Sequence, residues 1–190
     1  HRAKHLVLKG QVVEIHPKAK VTQEEARERS AKTHDLDVLF EDDSILVVDK
    51  PAGLLSVATD KLEQDTLHNR CVEYCRSEKK NGWCFIVHRL DKATSGIMVF
   101  AKTESAKRDL QEQFAERLVH RHYVALVEGF AESGRADHHL VEDKNLRVFV
   151  SETKTKTSKR ALTTWDVIAR GDHETLLNVV IETGRRHQIR

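Results

Sequence analysis

Apolar residues in this chain fall into short runs separated by polar turns, a spacing that predicts strands more often than helices. Val38-Leu39-Phe40 and Ile45-Leu46-Val47-Val48 flank Glu41-Asp42-Asp43-Ser44, which predicts a β-hairpin ending at Lys50-Pro51-Ala52-Gly53. Phe85-Ile86-Val87 and Ile97-Met98-Val99-Phe100 predict two further strands around a loop that carries Asp91. Tyr123-Val124-Ala125-Leu126-Val127 predicts a strand closed by Glu128-Gly129. Strands over 162–169 and 175–181 enclose Arg170-Gly171-Asp172-His173-Glu174, a hairpin loop. Helical spacing occurs twice. Leu67, Cys71, Tyr74 and Cys75 share a face behind an N-cap at Asp65 or Thr66, and Ala106, Leu110 and Phe114 share one behind Thr103 or Ser105. Many strands with short links and only two or three helices predict an α+β domain with a mainly antiparallel sheet, not a doubly wound parallel one.

Before residue 34 the pattern weakens. Leu6-Val7-Leu8, Lys9-Gly10 and Val12-Val13 suggest a hairpin, and residues 22–32, rich in Glu, Arg and Ala, read as a polar helix or a solvated connector. The expected division is therefore an N-terminal extension or linker over 1–33 and one main domain over 34–190. The chain has 190 residues, 39% hydrophobic, enough for a real core, yet 33% charged, which implies a heavily solvated surface. Its 32 basic and 30 acidic residues nearly cancel, to a net charge of +2, so the total does not announce a nucleic-acid binder. The distribution says more. Asp35, Asp37, Glu41, Asp42 and Asp43 are acidic near one end, while Lys154, Lys156, Lys159, Arg160, Arg185, Arg186 and Arg190 gather positive charge toward the other. Three cysteines, no apolar leader and no long apolar run point to a reduced cytoplasmic protein without disulfides or a membrane span. A start without methionine and an end inside a motif lead us to expect a fragment.

Three segments carry candidate chemistry. In His88-Arg89-Leu90-Asp91-Lys92-Ala93-Thr94-Ser95-Gly96 a carboxylate sits beside cations in a turn between two strands. The plain alternative is a turn aspartate bonding the backbone of Thr94 or Ser95. The functional one is an ionised, aimed and partly shielded nucleophile or base. Thr183-Gly184-Arg185-Arg186-His187-Gln188-Ile189-Arg190 follows a strand. It is either the start of an amphipathic helix or a set of arginines of which one pairs with Asp91 and others hold phosphates. Arg121-His122-Tyr123-Val124-Ala125-Leu126-Val127-Glu128-Gly129 places a tyrosine on a strand, either as packing or as a phenol that stacks on a base.

These segments, together with Val47-Val48-Asp49-Lys50-Pro51-Ala52-Gly53-Leu54, resemble in order the motifs of the RluA-type pseudouridine synthases and cover about 38–190. The resemblance implies a bent, mixed but mainly antiparallel sheet with a central RNA-binding cleft, and isomerisation of selected uridines in structured RNA (rRNA or tRNA). It implies no metal and no organic cofactor; a monomer is expected. By it Asp91 is the nucleophile or base, Tyr123 packs against the uracil, and Arg190 is the first choice of partner for Asp91, with Arg185 second. Asp91 would attack C1′ or C6, or remove the 2′ proton. The target base must be flipped out or already unpaired, and Arg89 is a candidate to fill the vacated space. Lys92, Thr94, Arg186 and His187 are further candidate RNA contacts, as are Lys154, Lys156, Lys159 and Arg160. Family domains continue past the His-Gln-Ile-Arg segment, so 34–190 is expected to lack its C-terminal part, and 1–33 to be at most a remnant of an S4-like domain.

Rival readings are weaker. Cys71, Cys75, Cys84 and His88 lack the usual structural Cys-x2-Cys zinc spacing, and two of the thiols lie on an apolar helix face. Asp137-His138-His139 reads as a surface loop. A hydrolase using Asp91 with His88 or His187 has neither a nucleophile elbow nor a carboxylate pair. The alternative from another class is an inactive RNA-binding protein of the same fold.

Overall fold

A computed structural model of the chain describes residues 36–144 and 147–190. The hairpin expected within 6–13, the polar helix of 22–32 and the boundary near His34 lie outside the described residues. The rest divides between Leu118 and Val119 into two compact units, and the strands into two sheets, one in each. The α+β class holds, and every named ladder is antiparallel.

In the first unit the order is β1 (Asp37–Glu41), β2 (Ile45–Lys50), β4 (Gly96–Ala101) and β3 (Phe85–Ile86). The β1–β2 hairpin forms where the turn residues predict it, because Asp42 Oδ1 accepts from the Ser44 and Ile45 amides at 2.7 and 2.8 Å. Strand β2 lies inside the sheet with Leu46, Val47 and Val48 all at most 1% exposed, which explains its unbroken apolar run. Helix α1 (Leu67–Glu78) is capped by Thr66, whose side chain accepts from the Asn69 amide. It buries the predicted face of Leu67, Cys71, Tyr74 and Cys75. Helix α2 (Glu104–Ala115) is capped by Thr103 and buries no residue fully, although Phe114 stacks on His88 with ring centroids 5.0 Å apart.

The second unit has the order β5 (Arg121–Glu128), β9 (Glu174–Ile181), β8 (Lys159–Arg170), β6 (Gly134–Glu142) and β7 (Val148–Ser151). On β9, Thr175, Leu177, Val179 and Ile181 are buried and alternate with more accessible residues, the period-two signature of a sheet with one covered face. The predicted β8–β9 hairpin closes through the Gly171 amide on the Glu174 carbonyl at 2.9 Å. Strands β6 and β7 were not anticipated. Asp137, His138 and His139, read as loop, lie within β6, correcting that expectation. Their backbones are held by ladders to β8 and β7, which do not depend on apolar side chains, so hydropathy carries no trace of this strand.

One buried polar contact ties helix to sheet. The Tyr74 hydroxyl donates to Glu41 Oε2 at 2.7 Å, and Lys102 Nζ forms an ion pair with the other Glu41 oxygen. Tyr74→Phe should therefore lower the unfolding free energy by about 1–3 kcal/mol, since it strips a donor from a buried carboxylate. The shift of the urea midpoint measures this, and an unchanged midpoint would show that the hydroxyl contributes nothing.

Candidate active site

Asp91 is half-buried, and the peptides on both sides of it are held by a single turn, 50–56. On one side the Ser56 hydroxyl donates to the Leu90 carbonyl at 2.7 Å and accepts from the Leu90 amide at 3.1 Å. On the other the Lys92 carbonyl accepts from the Gly53 amide at 2.7 Å and from Lys50 Nζ at 3.2 Å. Gly53 has a φ of +91°, a left-handed conformation that glycine adopts without penalty, and this conformation accompanies the aim of its amide at the loop. The Thr94 amide bonds the Asp91 carbonyl at 3.1 Å, closing the loop's own turn. The same 50–56 turn reaches α1, because the Leu55 and Ser56 carbonyls accept from the Leu67 and His68 amides at 2.8 and 3.1 Å. Those amides belong to the first turn of the helix and have no partner within it.

Charge around Asp91 differs from the sequence expectation. Arg89 and Lys92 are exposed, and Thr94 is half-buried. The cation inside is Lys50, at 0% exposure, with its ammonium on the carbonyls of Pro51 (2.9 Å), Leu54 (2.7 Å) and Lys92. Burial pushes its pKa down to about 8 against the opposing pull of Asp91 and Asp49. Asp49 itself is raised, by burial first and then by Asp37, its cross-strand neighbour on β1. His88 has a structural role: Nε2 accepts from the Val99 amide at 3.0 Å, which places the proton of the neutral ring on Nδ1. Cys71, Cys75 and Cys84 are buried free thiols that hydrogen-bond among themselves; the bond from Cys84 heads the causes that push the Cys75 thiol up, and that from Cys71 those that push Cys84 up. No group of three or more potential metal ligands is assembled among the described residues.

In the second unit Tyr123 lies on the covered face of β5, 8% exposed, opposite Val179. The segment 183–190 forms a turn rather than the start of a helix, with His187 at a φ of +54°. It is pinned to β8 by two residues that the motif supplies. The Thr183 hydroxyl accepts from the Leu162 amide and donates to Gln188 Oε1, both at 2.9 Å. Gln188 Oε1 also takes the Arg185 amide, and Nε2 donates to the Leu162 carbonyl and Thr163 Oγ1, so both ends of the amide are bonded. This holds Arg185, Arg186 and Arg190 at the surface and His187 half-exposed. Arg186 pairs with Glu142 at 2.9 Å, and Arg160 makes a two-pronged pair with Asp137. Lys154, Lys156 and Lys159 are exposed. Arg121, which opens the Tyr123 motif but was given no role of its own in the sequence, is half-buried beside Gly184, where an added Cβ would collide with Nη1. Burial lowers its guanidinium pKa; Tyr123 opposes this, and the charge of Arg185 adds to it.

The profile of the RNA pseudouridylate synthase family matches residues 44–190, which take in the Asp91 loop, Tyr123 and the 183–190 turn. The chain belongs to that family. Within it the resemblance is of the RluA type. The chain is 37% identical over 172 residues to ribosomal large subunit pseudouridine synthase D of Nitrosomonas europaea, covering 88% of the chain and 48% of the relative. It is 37% identical over 158 residues to the dual-specificity RNA pseudouridine synthase RluA of Haemophilus influenzae, covering 82% and 69%. The chain thus spans about half the length of several curated relatives it matches. A solved structure of human RNA pseudouridylate synthase domain containing 4 superposes with a TM-score of 0.68 at 23% identity, over 81% of this chain and 62% of that one, which establishes the shared fold.

Ser56 clamps one side of the Asp91 loop. Ser56→Ala leaves both polar groups of Leu90 without that partner and should lower the unfolding free energy by about 1–2 kcal/mol. Faster hydrogen exchange at the Leu90 amide, measured by NMR, would localise the loss; unaltered exchange would refute the clamp.

Proposed function

We propose that this chain carries the catalytic domain of an RNA pseudouridine synthase, and that Asp91 acts as nucleophile or base. The observation that carries this reading is the double clamp around Asp91: Leu90 and Lys92 are both bonded to one turn, so the backbone that carries the half-buried carboxylate is held in place. A carboxylate that must meet a sugar or base carbon needs that immobility. The reaction breaks the bond from C1′ to N1, rotates the uracil and forms the bond from C1′ to C5; the C5 proton is lost and N1 gains one. No electron donor or group donor is needed. Asp91 would attack C1′ or C6, or take the 2′ proton. Tyr123 would stack against the flipped uracil and Arg190 would pair with the carboxylate.

The substrate would be structured RNA; the names of the relatives favour the ribosomal large subunit, and transfer RNA is the alternative. The enzyme would work as a cytoplasmic monomer without an organic cofactor; no helix among the described residues is long and apolar enough to cross a membrane. Arg89, Lys92 and Thr94 would meet the RNA near the target, with Arg185, Arg186 and His187 as further contacts. The exposed Lys154, Lys156, Lys159 and Arg160 would hold phosphates more remotely.

RNA from cells lacking the gene, treated with the intact protein or with Asp91→Asn and mapped for pseudouridine at single-nucleotide resolution, tests the activity. New sites should form with the intact protein and fall by at least about a thousandfold in rate with the variant. Equal RNA binding by both proteins with no new site from either would leave an RNA-binding module of this fold. The basic residues make a separate prediction. Lys156→Gln should weaken binding to all sequences and reduce the slope of log K against log salt by about 0.9. Arg160→Gln should reduce it less, because Arg160 must first leave Asp137. Equal effects would remove the distinction between free and paired cations.

A further inference from the structure

We propose that Trp83, with Arg76, Lys79 and Lys80 around it, is a second RNA contact outside the Asp91 loop: an unpaired base of the substrate stacks at the indole, and the phosphates on either side meet the lysines. The proposal rests on the reading of the substrate as RNA. Tryptophan is on average a largely buried residue, and Trp83 is 41% exposed. It stands just past the end of α1. The Lys79 amide bonds the Cys75 carbonyl at 3.0 Å and the Gly82 amide bonds the Lys79 carbonyl at 2.6 Å, so the chain turns back on the helix. Only glycine fits at 82, because a Cβ there would collide with the Cys75 carbonyl. On the other side Cys84 is sealed in at 0% exposure, and its carbonyl bonds His68 Nε2 at 3.1 Å. Trp83 is thus pinned through both neighbours, and its ring meets the His68 ring edge-on, with centroids 6.0 Å apart. A side chain held outward in this way loses little freedom when a ligand lands on it.

The cations collect at the same place. Arg76 Cζ lies 5.1 Å from the centre of the Trp83 ring, and Lys79 and Lys80 follow it, both exposed. Over residues 76–83 these three cations stand against one acid, Glu78, in a chain whose net charge is only +2; Glu73 lies one helical turn before Arg76. The pairing repeats at the next aromatic, where Lys107 Nζ of α2 stands 4.8 Å from the centre of the Phe85 ring. Phe85 opens β3, the edge strand of its sheet. Aromatic rings interleaved with basic groups suit a single strand of nucleic acid, since every base has a face to stack and every nucleotide a phosphate. Cations at the end of a helix also complement the negative end of its dipole. That role needs no tryptophan, and the carbonyls of Cys75 and Lys79 are already bonded by backbone amides. Trp83 and Asp91 are eight residues apart in the chain. At most roughly 29 Å therefore separates them, less than one turn of a nucleic-acid duplex, roughly 34 Å. A folded substrate with its target at Asp91 can reach Trp83 with an unpaired loop or end.

The test uses the full chain and an oligouridylate, unlabelled for quenching and fluorescein-labelled for affinity. The chain has two tryptophans, so Trp165→Phe leaves Trp83 as the sole indole. In that protein the oligouridylate should quench the indole emission, whereas polyphosphate, which has the charges without the bases, should not. Trp83→Leu keeps an apolar cover on His68 but offers no stacking face, and should weaken oligouridylate binding about tenfold. Trp83→Phe should recover most of that loss. Lys79→Gln and Lys80→Gln should each lower the slope of log K against log salt by about 0.7, the single-strand value. No quenching by the oligouridylate would overturn the proposal, as would a folded Trp83→Leu variant that binds as tightly as wild type; Trp83 would then be a cover for His68 and nothing more. If the Trp83 variants do not fold, the quenching and the two lysine slopes decide. Pseudouridine mapping judges the isomerase reading separately. Quenching without any new site would sink that reading and keep the RNA contact, and new sites without quenching would do the reverse.

Discussion

Leu90 and Lys92 offer three backbone groups to one turn, and the hydroxyl of Ser56, the amide of Gly53 and the ammonium of Lys50 take them up. Each bond is ordinary in strength, with a net worth of about 1 kcal/mol. Their arrangement matters more than their sum. They grip the chain on both sides of a single residue, so the backbone of Asp91 cannot move without breaking bonds at one end or the other. The turn is itself anchored, because the Leu55 and Ser56 carbonyls receive the first amides of α1, and that helix is packed by its apolar face and by Tyr74 on Glu41. A chain of contacts therefore runs from helix to turn to the backbone on both sides of Asp91.

The second unit solves a similar problem with neutral groups. Thr183 and Gln188 pin the 183–190 turn to β8, and every polar atom of the Gln188 side chain is used. The arginines between them are left at the surface, where their charges remain available. Not all are equally available. Arg186 and Arg160 lie in ion pairs with Glu142 and Asp137, while Arg121 sits half-buried beside the charge of Arg185. Motif residues in this family chain thus divide into those that carry charge outward and those that hold the backbone, and the second group includes the less conspicuous threonine and glutamine.

Much of this was legible along the chain. The β1–β2 and β8–β9 hairpins, both helix caps and the Asp91 loop follow from local chemistry: an aspartate that closes a turn, a threonine that caps a helix, an apolar period of two or near four. The elements that escaped notice were β6 and β7. Their residues are mostly polar and accessible, and they are strands because neighbouring backbones complete their ladders. Among site residues Lys50 and Ser56 escaped for a like reason. A lysine and a serine near a turn look solvated until the loop around 90–92 is folded against them. Arg121 was quoted at the head of the Tyr123 motif, but its burial beside Gly184 was not legible there.

What the sequence by itself determined was the family and the segments that carry its motifs, since residue identity, spacing and turn preference act over a few positions. What only the tertiary structure decided was which charges are buried and what each polar group bonds. Lys50 and Lys92 are both lysines within reach of Asp91 along the fold, yet one is sealed in with three carbonyls and the other exposed. Desolvation and hydrogen-bond partnership come from groups 34 to 42 residues apart along the chain, and no local pattern encodes them.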